Sequence, residues 1–211
     1  MRAVLEDMVK RGAEELRLRD KALDKIMERA RRARILSKQA ILRTHSGEMT
    51  EAKKRLEEAS GLISEMNEII GTRLELGRFE QVSAAKEEFS EASIVMGLTE
   101  SGKFPDPTAL GVPITSYLIG LGDVPGELRR QALDALRVGK LETAEARLST
   151  MEEIYLSLVT MEEVPLLKGM RRKLDIARGV IERTRSEVTA EAGRRRLGES
   201  VKRLTDRLGD P

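Results

Sequence analysis

Apolar residues recur along this chain at steps of three and four, the period of a helix with one buried face. Val4, Met8, Leu16, Leu23, Ile26, Met27, Ala30, Ala33, Leu36, Ala40 and Ile41 follow it closely enough to predict one long helix over residues 3–44. Gly12 is a weak point near its start. The THSG run at 44–47 supplies a stop, with Gly47 placed as a C-terminal cap. A second helix is expected from about Thr50 to Leu76, with Ala52, Leu56, Ala59, Leu62, Ile63, Met66, Ile69 and Ile70 on one face. Gly77 separates it from a third, Phe79 to about Leu98, whose stripe is Val82, Ala85, Phe89, Ala92 and Met96.

The stretch SGKFPDPTALGVP, residues 101–113, carries three prolines and reads as the one clear loop. Pro113 fits the first turn of the following helix, which extends to Val138–Gly139. Pro125 must either kink that helix or divide it, with Asp123 as N-cap of the second piece. A fifth helix is expected over Leu141–Met161, a sixth over Leu166–Arg196, and a short tail helix over Glu199–Leu208 after Gly198. No strand pattern competes. The expected fold is all-α, six to seven helices in a single domain spanning residues 1–211. Helices this long leave overhanging apolar ends, which favour a homo-oligomer.

Composition sharpens this picture at three points. Charged residues make up 35% and aromatics 2%, a long-helix composition. There is no cysteine, which excludes disulfides, thiolate metal sites and a cysteine nucleophile. No apolar run approaches the ~20 residues of a membrane span, and the charged start excludes a signal-peptide core. A soluble, cytoplasmic protein is expected. The net charge of +2 conceals segregation: residues 1–43 hold 13 basic against 7 acidic side chains, and residues 164–211 again 13 against 7. Residues 44–100 hold 6 against 12, and residues 101–163 hold 6 against 10. Basic flanks attract polyanions, whereas an acidic centre suits a cation.

Two acidic pairs stand in that centre. Glu88 and Glu91 are three apart in EEFSEA, and Asp123 and Glu127 are four apart in YLIGLGDVPGELRR. Each spacing puts its pair on one helical face, where like charges oppose each other. Paired carboxylates beside an apolar stripe need protons, cations or basic partners. A hard cation such as Mg²⁺ takes oxygen ligands and could acidify a water against a phosphodiester. By spacing alone both pairs read first as solvated helix faces, as Glu57/Glu58, Glu152/Glu153 and Glu162/Glu163 do. Periodicity does not bring the two pairs together.

A resemblance does. GVPITSYLIGLGDVPGELRRQALDAL resembles the segment YL-x-GL-x-D-x-x-GEL-x-R of the translin family. AAKEEFSEASIV resembles the family's QEY-x-EA segment, with Glu87 for Gln and Phe89 for Tyr. RARRARILSKQAILRTHSGEM resembles its R-x-x-R…S-x-x-I-x-x-x-H segment, with His45 at the histidine, and MRRKLDIARGVIERTRSEVTAE its last long helix. The likeness implies an all-α protein that assembles into a closed, hollow homo-oligomer, a hexamer or octamer, and binds single-stranded RNA and single-stranded DNA. It points to the translin-associated factor X branch, in its prokaryotic or archaeal form, because Glu88, Glu91, Asp123 and Glu127 match all four acids that mark the nuclease. The implied activity is a Mg²⁺- or Mn²⁺-dependent endoribonuclease cutting single-stranded RNA, those four residues being both metal ligands and catalytic groups. The alternative is a non-catalytic RNA- or single-stranded-DNA-binding oligomer, as in translin proper.

For the nucleic acid, Arg31, Arg32, Arg34, Arg129 and Arg130 are the candidate phosphate contacts, with Arg29 and Lys38 in the same N-terminal cluster. Each reads equally as solvent-facing or subunit-bridging charge. Phe79, Phe89, Phe104, Tyr117 and Tyr155 are the only aromatic side chains that could stack on bases, and several look like core, so sequence-specific readout is not expected. His45 is the only histidine, placed at a helix end for capping or packing. Without a second one the chain lacks the paired Glu-x-x-His of a ferritin-like di-iron bundle.

Overall fold

In a computed structural model describing residues 2–208, the helical period is met almost throughout. Among the described residues there are seven α-helices, one 3-10 turn and no strand. The chain divides into two compact units, one ending at Gly120 and the other beginning at Leu121. No helix among the described residues is long and apolar enough to cross a membrane.

The first unit is built on α1 (Arg2–His45), which packs along both α2 (Met49–Gly71) and α3 (Glu80–Glu100). Its buried face is mostly small: Ala22, Ile26, Ala30, Ala33, Leu36, Ser37 and Ala40. Small side chains let neighbouring helices come close, and Leu56, Ile63 and Met66 of α2 and Val82 and Phe89 of α3 fill the space. The buried hydroxyls are satisfied locally: Ser37 donates to Ala33 O at 2.9 Å, Ser90 to Lys86 O at 2.7 Å and Ser93 to Phe89 O at 2.7 Å. Before Ala22 the apolar stripe has nothing to pack on, so Val4, Met8 and Leu16 are exposed. Gly12 does not interrupt the helix.

α1 stops where the sequence places its cap. Gly47 takes φ 76°, donating to Thr44 O at 3.1 Å, while Glu48 N–H reaches Arg43 O at 2.9 Å. α2 ends five residues sooner than its apolar pattern suggests. The Thr72 hydroxyl donates to Ile69 O and Arg73 N–H to Ile70 O, both at 2.9 Å, which closes the helix at Gly71. Leu76 is still buried, but on a 3-10 turn at Leu74–Arg78. The 101–113 loop is pinned by Asn67 Nδ2 donating to Gly111 O at 2.8 Å and Tyr117 Oη donating to Pro105 O at 2.9 Å. Tyr117 belongs to α4 (Ile114–Leu121); burial first, then the Asp106 carboxylate, push its hydroxyl pKa up, so it remains a donor.

The second unit contains α5 (Val124–Arg137), α6 (Leu141–Val159) and α7 (Met170–Leu208), each touching the other two. Leu128 and Ala132 of α5, Met151 and Ile154 of α6 and Met170, Leu174 and Ile181 of α7 form its core. Two sequence expectations change here. The last long helix starts at Met170 rather than Leu166, because successive turns link Val164 N–H to Met161 O, Leu167 N–H to Val164 O and Met170 N–H to Leu167 O. It also absorbs the separate tail helix. Gly198 costs a helix only about 1 kcal/mol, and the Arg195–Glu199 ion pair spans that turn while Arg195 also reaches Glu142 of α6.

One buried charge stands out in the first unit. Lys86 on α3 is 7% exposed, and burial lowers its pKa. The unfolded chain therefore holds that proton more tightly than the folded one, so the charged lysine costs stability at neutral pH. The cost fades as pH rises toward the unfolded value of 10.5. Lys86→Met is expected to stabilise the protein by about 1 kcal/mol at pH 7, with a smaller gain in alkaline buffer, measured by thermal denaturation at both pH values.

Candidate functional site

The first acidic pair is held by its helix. Around Glu88 and Glu91, the neighbouring residues Phe89, Ser90, Ala92 and Val95 of α3 are all buried, which leaves the two carboxylates at the rim of the apolar face, half-buried. The Glu88 side chain keeps 18% of its exposure, and Lys38 Nζ of α1 stands 3.7 Å from its Oε2.

What fixes this turn of α3 is Gly120. A Cβ built there would lie 2.5 Å from Glu87 O and 3.0 Å from Glu91 N. No side chain fits that gap, so the α4 backbone rests directly on the α3 backbone at the acidic turn. The glycine of YLIGL thus has a packing reason within the first unit.

The second pair starts where α4 gives out. Pro125 divides the helix rather than kinking it: α4 ends at Leu121 and α5 begins at Val124, with Pro125 in its first turn. Asp123 takes the N-cap position at φ −91° and ψ −22°, yet its side chain makes no capping hydrogen bond. Its carboxylate accepts instead from Lys173 Nζ of α7, a lysine only 18% exposed. Glu127 lies half-buried on the first turn of α5.

Each unit therefore supplies two carboxylates, one of them facing a lysine. Among the described residues no group of three or more Asp, Glu or His side chains gathers around a common point. The donor chemistry, all carboxylate oxygen, suits a hard cation such as Mg²⁺ or Mn²⁺. Neither pair alone makes a complete cage, but Mg²⁺ is commonly held by one or two carboxylates together with substrate phosphates and waters.

The basic candidates separate sharply. Arg129 is occupied: its Nη1 donates to Thr184 Oγ1 at 2.9 Å and to Glu187 Oε2 at 2.8 Å, and its Nη2 to Glu187 Oε1 at 2.9 Å. This bidentate pair joins α5 to α7 and engages the Arg129 guanidinium within the second unit. Arg130 is exposed, as are Arg31 and Arg32, while Arg34 is half-buried. His45 closes α1. Of the aromatics, Phe89 and Tyr117 are core, whereas Phe79 and Phe104 reach solvent. In the sequence, Lys38 and Lys173 stand out only as parts of basic clusters. Nothing local marks Lys173 as the partner of an acid fifty residues earlier.

Comparison with known proteins completes the description. No family model matches the chain. An uncharacterized protein of Methanocaldococcus jannaschii is 30% identical over 160 residues, covering 75% of this chain and 71% of its own. The crystal structure of AfC3PO is 32% identical with a TM-score of 0.80, covering 89% of this chain and 98% of its own. The AfC3PO–duplex RNA complex is 31% identical with a TM-score of 0.79 and the same coverage, 89% and 98%. Apo-NeC3PO, at 24% identity and a TM-score of 0.80, shares the fold over 87% of this chain and 96% of its own.

The Gly120 contact yields a direct test. Gly120→Ala forces backbone against backbone at 2.5 Å and is expected to cost about 1–3 kcal/mol, read as a lower urea midpoint.

Proposed function

The chain belongs to the translin family, and we propose that it is a divalent-metal-dependent endoribonuclease that binds and cuts single-stranded RNA as a closed homo-oligomer. The observation that carries this reading is the contact at Gly120. It seats the end of α4 on the Glu87–Glu91 turn, and Asp123 follows Gly120 by only three residues. Covalent reach alone keeps the Asp123 Cα within about 11 Å of the Gly120 Cα.

Glu88, Glu91, Asp123 and Glu127 are the residues that would hold Mg²⁺ or Mn²⁺, which when bound supplies charge neutralisation at the scissile phosphate and an acidified water. Lys38 and Lys173 each balance the charge of one carboxylate, and would give way to a cation held by these acids. A carboxylate not needed to hold the ion would orient the attacking water. Because few aromatic side chains reach solvent, contact falls on the sugar–phosphate chain rather than on particular bases, and single-stranded DNA binds by the same charges.

RNA as the ligand draws support from the AfC3PO complex, whose partner is duplex RNA. A homo-oligomer draws support from the chain's own ends: Val4, Leu5, Met8 and Val9 on α1 and Leu197, Val201 and Leu204 on α7 are all more than half exposed. Stripes of that kind are covered by another copy of the chain in a stable protein. A second reading, binding without cleavage, is favoured by the lysines that occupy one acid of each pair.

The two are separated by incubating the protein with single-stranded and duplex RNA in Mn²⁺, Mg²⁺ or EDTA. Cleavage of the single strand is expected only with metal, and Asp123→Asn and Glu88→Gln are each expected to reduce it by about 100-fold while leaving RNA binding in EDTA intact. A wild-type protein that binds RNA but never cuts it, with Asp123→Asn indistinguishable from it, leaves the binding-only reading standing.

A further inference from the structure

We infer that a groove on α1, lined by Arg31, Arg34 and Lys38 with Met27, Ile35 and Gln81, seats a backbone phosphate of the RNA next to Glu88. The inference rests on the reading of the chain as an RNA-binding protein and says where the strand is gripped. The groove holds about 480 Å³ and no carboxylate lines it. Two other grooves of the fold differ in this respect. The one between α1 and α2 near Arg29 includes Glu65 and Glu68, and the one between α6 and α7 near Tyr155 includes Glu152 and Glu182. In both, a lining arginine is already paired with a lining glutamate: Arg29 with Glu65, and Arg185 with Glu152.

Arg31 and Arg34 have no ion-pair partner among the described residues, although Arg29 and Arg43 on the same helix are paired with Glu65 and Glu48. Arg34 is the sharper case, because its Nε is buried without any hydrogen-bond acceptor. A buried donor left unmade is costly, and native proteins leave few of them. A phosphodiester presents two non-bridging oxygens, which a guanidinium fork engages in a bidentate geometry. Arg31 is three residues before Arg34 and Lys38 four after it, so all three rise from one face of α1. Ile35, half exposed, gives the sugar an apolar wall. Lys38 links groove and acid, its Nζ 3.7 Å from Glu88 Oε2. A phosphate seated here holds the strand within one side chain of that carboxylate, so the groove sets the register of the RNA against the acidic pair.

The test is equilibrium binding of a short fluorescent single-stranded RNA in EDTA, over a salt series, to the full-length protein and its variants. Losing one phosphate contact reduces the slope of log K against log salt by about 0.7, equivalent to about fivefold weaker binding near 0.1 M salt. Arg34→Met, which keeps the buried stem, and Arg31→Ala are each expected to show that loss. Arg34→Lys retains the charge and is expected to keep the slope while binding more weakly. Arg29→Met, which removes a guanidinium already paired with Glu65, is expected to leave both unchanged. Circular dichroism melts of each variant establish that the fold is intact. Wild-type slope and affinity in Arg31→Ala and Arg34→Met overturn the inference while leaving RNA binding in place. A wild-type protein with no RNA affinity at low salt overturns both.

Discussion

The packing of α4 on α3 depends on the absence of one carbon atom. At Gly120 the α4 backbone sits so close to α3 that a Cβ would come within 2.5 Å of Glu87 O and 3.0 Å of Glu91 N. Side chains adapt to crowding by changing rotamer, but two backbones cannot. The contact therefore fixes the level along α3 at which α4 ends. That level is the turn bearing Glu88 and Glu91. Pro125 then ends one helix and starts the next, so that Asp123 emerges at a helix start rather than part-way along a continuous surface. A glycine and a proline, neither with any reactive group, thus decide where the acids stand.

Electrostatics constrains the same region from another side. Within each acidic pair the two carboxylates repel each other, and partial burial raises that cost. The fold answers by bringing a cation from a different helix to one member of each pair: Lys38 of α1 to Glu88, and Lys173 of α7 to Asp123. Both lysines come from the basic terminal thirds, and both acids from the acidic middle. The charge segregation along the chain is thereby made local and opposite in space. Such pairs stabilise little when exposed. Their positions mark the two acids that the fold supplies with a counter-charge.

Helices whose boundaries are set by nearby residues are legible in the amino-acid sequence alone. α1 ends at Gly47 because a left-handed glycine closes it, and the 101–113 loop follows from its prolines. The period of three and four also marks the cores of α3, α5 and α6. It fails where a boundary depends on competition. α2 stops at Gly71 because the Thr72 hydroxyl claims a carbonyl, and α7 runs through Gly198 because one glycine costs a long helix only about 1 kcal/mol. Neither effect has a period. The four acids are legible as two pairs and, through family resemblance, as a set. Their lysine partners are not, because Lys173 and Asp123 are linked only by the packing of α7 against α5.

The arginines carry the same lesson to its functional end. In the sequence, Arg129 and Arg34 are equivalent: each lies on a helix, in a basic cluster, near a motif of interest. In the fold, Arg129 commits three of its five N–H donors to Glu187 and Thr184, tying two helices together. Arg34 has a buried donor with no acceptor and a groove free of carboxylates beside it. A positive charge that is already paired adds little to the attraction of a polyanion, because its field is cancelled at short range. Total charge therefore overstates the binding surface. What selects α1 over α5 is the unmet hydrogen-bonding capacity of a guanidinium, a property of the partners a residue lacks rather than of the residue itself.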